Sequence, residues 1–293
     1  MLDFYKSFLE RQNVNDWLKN PHLRDSFKTT VSNETGEVME WIASIRGQTV
    51  RIKPGGYMEI SGSLHKFYTG YSNATDFTRS AIALSIDELG DLLRFDPSAA
   101  QLQNIEFGVN QVLSIPAKSL LKRAVMFRNI DFTSRRTFGG RGHQIDAKLQ
   151  RYTFKAYDKA AQLQSAGISC DKHLLRCEVR VTKMIHLAPM KLVTMADLVH
   201  PCSLAPLGDL LVKAWDNVLF HGPAPKHEMP KARRELLLKG RNVDYWESLS
   251  PDNFRKQRGQ FREWSDEHFH DTLPTAVRAG MVATWARLLI GEA

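Results

Sequence analysis

The sequence has few cysteines, no long apolar run and fewer acidic than basic residues. Cys170, Cys177 and Cys202 are the only three cysteines in 293 residues. They are too few and too scattered for a disulfide framework or a zinc site, and they point to a reducing cytoplasm. No apolar run approaches the roughly 20 residues of a membrane span, so no membrane partner is expected. The opening MLDFYKSFLERQ is charged from its third residue and lacks a signal-peptide core. Internal repeats and low-complexity tracts are missing too. What remains, 43% hydrophobic and 25% charged, is an ordinary globular composition.

The 32 Asp and Glu are outnumbered by 40 Lys and Arg, a net charge of +8. Such a surplus favours a polyanionic partner. It is also local. Between Lys118 and Lys183 stand fifteen Lys or Arg against five Asp or Glu, a surplus of ten. The plainer reading of that span is a solvated basic face.

Along the chain, Phe4, Phe8, Leu9, Trp17 and Leu18 recur at helical spacing and predict a helix over 2–28. Residues 36–68 hold short β-favouring runs split by Arg46-Gly47 and Lys53-Pro54-Gly55-Gly56, which predicts an antiparallel meander. In its third strand Met58 and Ile60 face one way and Glu59 the other. Residues 62–73 read as a loop in which His65, Lys66 and aromatics suit single-stranded nucleic acid. Ser85 with Glu88 reads as a capping box opening a helix. Residues 104–110 alternate, with Glu106 on the polar face. Residues 116–127 read as a helix, and 130–142 as a strand ending in a Gly/Arg loop whose Arg135, Arg136 and Arg141 suit phosphate contacts. The strand 150–157 puts Lys155 and Tyr157 on its polar face, and a short helix follows from Asp158. The strand 173–183 buries Leu175, Cys177, Val179 and Val181 and turns Arg176, Glu178 and Arg180 outward. From 188 to 293 the pattern is helical, with two basic helices, 231–239 and 251–264, facing either duplex DNA or solvent.

The fold class expected is α+β: a central antiparallel sheet with helices on one face, of the nicking-endonuclease kind, followed by a C-terminal helical region. The expected divisions are an N-terminal helical segment (1–35), a nuclease domain (36–187) and the C-terminal helical region (188–293). Three strands place a carboxylate in mid-strand opposite the apolar face: Glu59, Glu106 and Glu178. Tyr157 holds the same place on a fourth. In one sheet all four side chains emerge on one open side. Clustered carboxylates repel unless a cation lies among them, and oxygen ligands suit Mg²⁺ or Mn²⁺. Such an ion polarises a phosphodiester, and the Tyr157 phenol is then the nucleophile, helped by Lys155 or Lys159.

On MEISGSLHKFY (58–68), NIEFGVN (104–110), KAYDK (155–159) and LLRCEVR (174–180), the sequence resembles the rolling-circle replication initiators, nearest the replication proteins of filamentous phages. The resemblance covers roughly residues 36–183. It implies a site-specific nicking and joining enzyme acting on single-stranded DNA at a replication origin, with a host helicase as protein partner. Tyr157-Asp158-Lys159 matches the nucleophile motif, and Glu106, Glu178 and Glu59 match the acidic strands. His65 is a further metal ligand or a phosphate contact. Lys66, Arg135, Arg136, Arg141, Arg176 and Arg180 are the expected DNA contacts. His268-Phe269-His270 spells a metal motif of other nicking enzymes but follows the tyrosine. A relaxase or transposase of the same fold, or a non-catalytic DNA-binding regulator, are the competing readings.

Overall fold

The computed structural model describes residues 1–10, 14–70, 73–138, 140–225, 228–269 and 273–291. In chain order the strands are β1 (Leu2–Glu10), β2 (Lys28–Val31), β3 (Val38–Ile45), β4 (Gln48–Lys53), β5 (Tyr57–Ser63), β6 (Gln101–Leu113), β7 (Ala124–Phe127), β8 (Ser134–Phe138), β9 (Arg141–Lys148), β10 (Tyr152–Asp158), β11 (His173–Val181) and β12 (Val218–Phe220). The α-helices are α1 (Val14–Leu18), α2 (Leu64–Thr69), α3 (Arg79–Leu93), α4 (Ala117–Leu121), α5 (Lys159–Ser165), α6 (Pro201–Asp216), α7 (Lys231–Lys239), α8 (Val243–Glu247), α9 (Pro251–Phe269) and α10 (Leu273–Ile290).

Ten strands form one sheet in the order β2-β3-β4-β5-β1-β6-β11-β10-β9-β8, each pair antiparallel. This is the expected α+β class with an antiparallel sheet and a C-terminal helical region. Alternation decides which face is dry. Ile105, Phe107 and Val109 of β6, Phe154 and Ala156 of β10, and Cys177 and Val179 of β11 are all buried in one core. The same core takes Ile82, Ile86 and Leu89 of α3, Leu204, Leu207 and Leu211 of α6, and Met281 and Trp285 of α10. Trp285 meets Phe107 edge-on at 6.0 Å, and its indole N–H donates to the Leu204 carbonyl at 3.2 Å. A smaller core gathers Val125, Met126, Leu219, Leu236, Leu237, Trp246 and Phe261, joining the β7–β12 ribbon to α7, α8 and α9.

Four expectations need correction. The predicted helix over 2–28 is a central strand followed by the short α1. Phe4 and Phe8, four apart, do share a face, but Tyr5, Ser7 and Leu9 are buried on the opposite one. Phe4 and Phe8 are half-buried on a face that also carries Lys6, so apolar residues stand on both faces and the period of two is masked. The loop over 62–73 contains α2, capped by Ser63, whose hydroxyl accepts from the Lys66 N–H at 3.1 Å. The helix expected to open at Ser85 opens at Arg79. Thr78 caps it, and Ser85 lies buried inside it, donating to the Ala81 carbonyl at 2.7 Å. The helix over 116–127 stops at Leu121, and 124–127 pairs with β12, because β-favouring Val125 and Phe127 find a strand partner.

Candidate active site: a carboxylate cluster beside a buried tyrosine

Register across the sheet determines the site. Glu178 of β11 lies opposite Gly108 of β6 and Lys155 of β10. One row further on, Arg176 lies between Asn110 and Tyr157, and Tyr157 pairs with Gln144 of β9. Gly108 is needed here: a Cβ on it would stand 2.2 Å from the Cys177 carbonyl oxygen and 2.8 Å from Glu178 Cγ. β6 and β11 approach at that point closely enough to exclude any side chain.

Asp3, Glu106 and Glu178 each offer an oxygen within 4.8 Å of the others, and all three are buried. Asp3 reaches this face because β1 carries a bulge between Leu2 and Tyr5 in its pairing with β6. Its Oδ1 accepts from Ser63 Oγ at 2.8 Å and its Oδ2 from Arg176 at 3.2 Å and from Asn73. Glu178 accepts from Arg176, and its Oε1 takes the Tyr157 hydroxyl at 3.0 Å. Lys155 Nζ stands 2.8 Å from Glu106 Oε1 and 3.7 Å from Glu178 Oε2. These groups open into a cleft of about 560 Å³, which Lys66 and Arg180 also line.

The electrostatics divide the two glutamates. Burial and the charge of Glu178 hold the Glu106 carboxyl well above the usual carboxylate range. Burial would also raise Glu178, but Arg176, Glu106 and Lys155 outweigh it and hold that carboxyl low. Glu178 is thus the ionised member and Glu106 the one that takes a proton. Burial and then Glu178 push the Tyr157 phenol well above its ordinary value, so it is a donor at neutral pH. Burial and the neighbouring Arg176 lower Lys159 to about 8. Lys159 Nζ donates to Asn73 Oδ1 at 2.6 Å and Gln162 Oε1 at 2.7 Å, and lies 5.8 Å from the Tyr157 ring centre. Asp158, between Tyr157 and Lys159, caps α5 by accepting from the Ala161 N–H at 3.0 Å.

The structure brings together Glu106, Glu178, Lys155, Tyr157 and Lys159, and rearranges the rest. Glu59 is on the expected face but outside the cluster. It pairs with Lys6 at 2.7 Å, and its position along β5 is opposite Phe8, whereas Ser63 is opposite Phe4 and bonds Asp3. Asp3 is the acidic residue that sequence reasoning missed. Arg176 is not an open DNA contact, since it is 3% exposed and spent on Glu178, Asp3 and Asn110. Arg135 reaches the carbonyls of Ala124 and Val125 at 3.0 and 2.8 Å, away from the cleft. Arg136 and Arg141 are exposed on the β8–β9 hairpin. Arg180 lies 3.9 Å from Glu106, and its Nε has no hydrogen-bond partner. The side chains of His268 and Phe269, and all of His270, lie outside the described residues.

His65 is neither a ligand in the cluster nor a phosphate contact. It is buried, stacked on Phe77 at 4.7 Å, with Nε2 3.1 Å from Thr75 Oγ1. Burial, then the Met1 ammonium and Arg176, lower its pKa to about 3. Between its ordinary value near 6.5 and about 3, the unfolded chain binds a proton that the folded one refuses. Stability therefore falls as pH drops through that window. His65→Gln is expected to flatten the fall by up to about 1.4 kcal/mol per pH unit. Urea midpoints at pH 7 and pH 5 test this: an equal drop in both proteins would mean that His65 already carries its proton.

No protein family and no curated protein matches the chain. Among solved structures, it is similar to one described as a rolling circle replication initiator protein from Geobacillus stearothermophilus. The two are 13% identical with a TM-score of 0.44, over 80% of this chain and 90% of that one.

Proposed function

We propose that this protein is a site-specific single-strand DNA endonuclease and strand-transferase that starts rolling-circle replication through a covalent phosphotyrosine. The observation that carries the reading is the Tyr157 hydroxyl, 3.0 Å from a carboxylate of an acidic cluster, on the floor of a cleft edged by Lys66 and Arg180. Tyr157 attacks phosphorus, its proton passes to Glu178, and the bond from phosphorus to the 3′-oxygen breaks. The 3′-oxygen leaves and takes that proton from Glu178, becoming the 3′-hydroxyl. The phosphotyrosine keeps the bond energy, so the same hydroxyl can return and reseal the strand.

Three carboxylates suit a hard divalent ion, Mg²⁺ or Mn²⁺. Three buried carboxylate oxygens within 4.8 Å of one another are consistent with that fit. Asp3, Glu106 and Glu178 would hold the ion, which would polarise the scissile phosphate and offset the negative field around the phenol. Lys155 meanwhile neutralises the pair from the side of β10. Arg180, whose side chain is 43% exposed, and Lys66 line the cleft and are suited to phosphate oxygens. Within this reading residues 36–187 are the nuclease portion, joined by β1, and 188–293 carry further DNA contacts. The partners are origin DNA and a host helicase, and the compartment is the cytoplasm. No helix among the described residues is long and apolar enough to cross a membrane.

Saturation of the carboxylates by Arg176 and Lys155 favours a second reading, a DNA-binding regulator without chemistry. One experiment separates the two. A labelled single-stranded origin oligonucleotide is incubated with Mn²⁺ and run on a denaturing gel. A protein-linked product that disappears in Tyr157→Phe, with binding unchanged, supports the enzyme. Binding with no adduct in the unaltered protein supports the regulator.

A further inference from the structure

A second basic pocket lies away from the cleft and is not used by the reading above. Its volume is about 320 Å³, and Lys122, Arg135, His143, His221 and Arg241 line it without a carboxylate. Four separate stretches build it: the end of α4, the β8–β9 hairpin, the residue after β12, and the turn between α7 and α8. Arg135 is braced by the Ala124 and Val125 carbonyls and by Asp131 at 3.3 Å. Lys122 and Arg241 have no acidic partner among the described residues. Burial and the surrounding cations lower both histidines: Arg135 and Lys122 act on His143, Arg241 and Arg123 on His221. Asp131 offsets only Arg135, and like charges held together with so little counter-charge are costly, a cost that a bound anion relieves.

The position of the pocket suggests which anion. β8 is the outer edge of the sheet. Arg136 of β8 pairs with Gln144 of β9, which pairs with Tyr157, so Arg136 lies two strand spacings from the tyrosine, about 10 Å. Side chains alternate across that hairpin. Arg136 and Gln144 belong to the cleft face, and Arg135 and His143 to the opposite face, where the pocket opens. A row of positive groups thus runs from the cleft, over the edge strand, into the pocket.

We propose that this pocket holds a backbone phosphate of the same DNA strand that enters the cleft, on the segment that passes over β8. The proposal takes its substrate class from the proposed function but does not need Tyr157 to react.

The test measures binding of a labelled single-stranded oligonucleotide in EDTA across a salt series. Lys122→Ala/Arg241→Ala is expected to weaken affinity at least about tenfold. It should make the log–log salt slope shallower by about 0.7, the loss of one phosphate contact on a single strand. Lys28→Ala/Lys53→Ala, an equal charge loss near the far edge of the sheet, should change neither. Equal loss in both double variants, or none in the first, overturns the proposal. So does orthophosphate binding that shifts the His143 resonance while oligonucleotide affinity ignores the Lys122/Arg241 change, which marks a small-anion site. If the unaltered protein forms an adduct but the double variant binds normally, only the pocket assignment fails. If the double variant loses binding but no adduct ever forms, only the nuclease reading fails.

Discussion

Arg176→Met is expected to remove about 3–5 kcal/mol of stability, the loss typical when one partner of a buried ion pair is deleted. The guanidinium is 3% exposed and serves two buried carboxylates, Glu178 and Asp3, and the Asn110 side-chain oxygen at 3.1 Å. Without it both acids stay inside with no counterion of comparable reach. Methionine fills most of the volume, so the loss is electrostatic rather than a cavity. Chemical unfolding at neutral pH gives the size. The diagnostic is the triple variant Arg176→Met/Asp3→Asn/Glu178→Gln, which removes the whole charged set and should recover much of the loss. A single variant within about 1 kcal/mol of the parent would mean that water, not Arg176, solvates these acids. The pH dependence has a definite sign. Glu178 is held low, so its share of stability is present above the ordinary carboxylate value and is lost as pH falls through its lower folded value.

Arg176 also marks how far the sequence could be read. Its strand and face follow from alternation with Leu175, Cys177 and Val179, and the structure keeps both. Its role does not follow, because alternation separates a wet face from a dry one but not an open polar face from one filled by ion pairs. The same limit applies to Glu59, which has the right face and strand. The cluster lies four pairs further along β5, at Ser63, and only the register shows this. Asp3 was hidden twice: β1 is central and apolar on both faces, and a bulge breaks its period where Asp3 turns toward the cluster. Local signals served well where each had one interpretation. Lys53-Pro54-Gly55-Gly56 closes a hairpin as read, with Gly56 at φ +83°. The ordering of β1 between β5 and β6 is a tertiary pairing with no short-range signature, so the cluster became visible only with the sheet assembled.

Glu178→Gln is expected to slow adduct formation by about 10³-fold, within the 10²–10⁴ range of a positioned acid–base group. Oligonucleotide affinity should stay within a few-fold of the parent. Glu178 has two proposed tasks, accepting the Tyr157 proton and holding a divalent ion, and Glu106 has only the second. Glu106 lies beyond Gly108 on β6, and the Tyr157 hydroxyl donates to Glu178. The two amide variants should therefore respond differently to metal. A weakened ion site is offset by mass action, so Glu106→Gln should regain much of its rate as Mn²⁺ is raised. Glu178→Gln should not, because a glutamine still bonds the phenol but takes no proton at neutral pH. Single-turnover rates across a Mn²⁺ series read this difference directly. Equal rescue of both variants would reduce Glu178 to a ligand and leave the tyrosine proton without its proposed acceptor. Full metal-dependent rate in Glu178→Gln would remove the carboxylate from the chemistry, and with it the geometric basis for assigning Tyr157 as nucleophile.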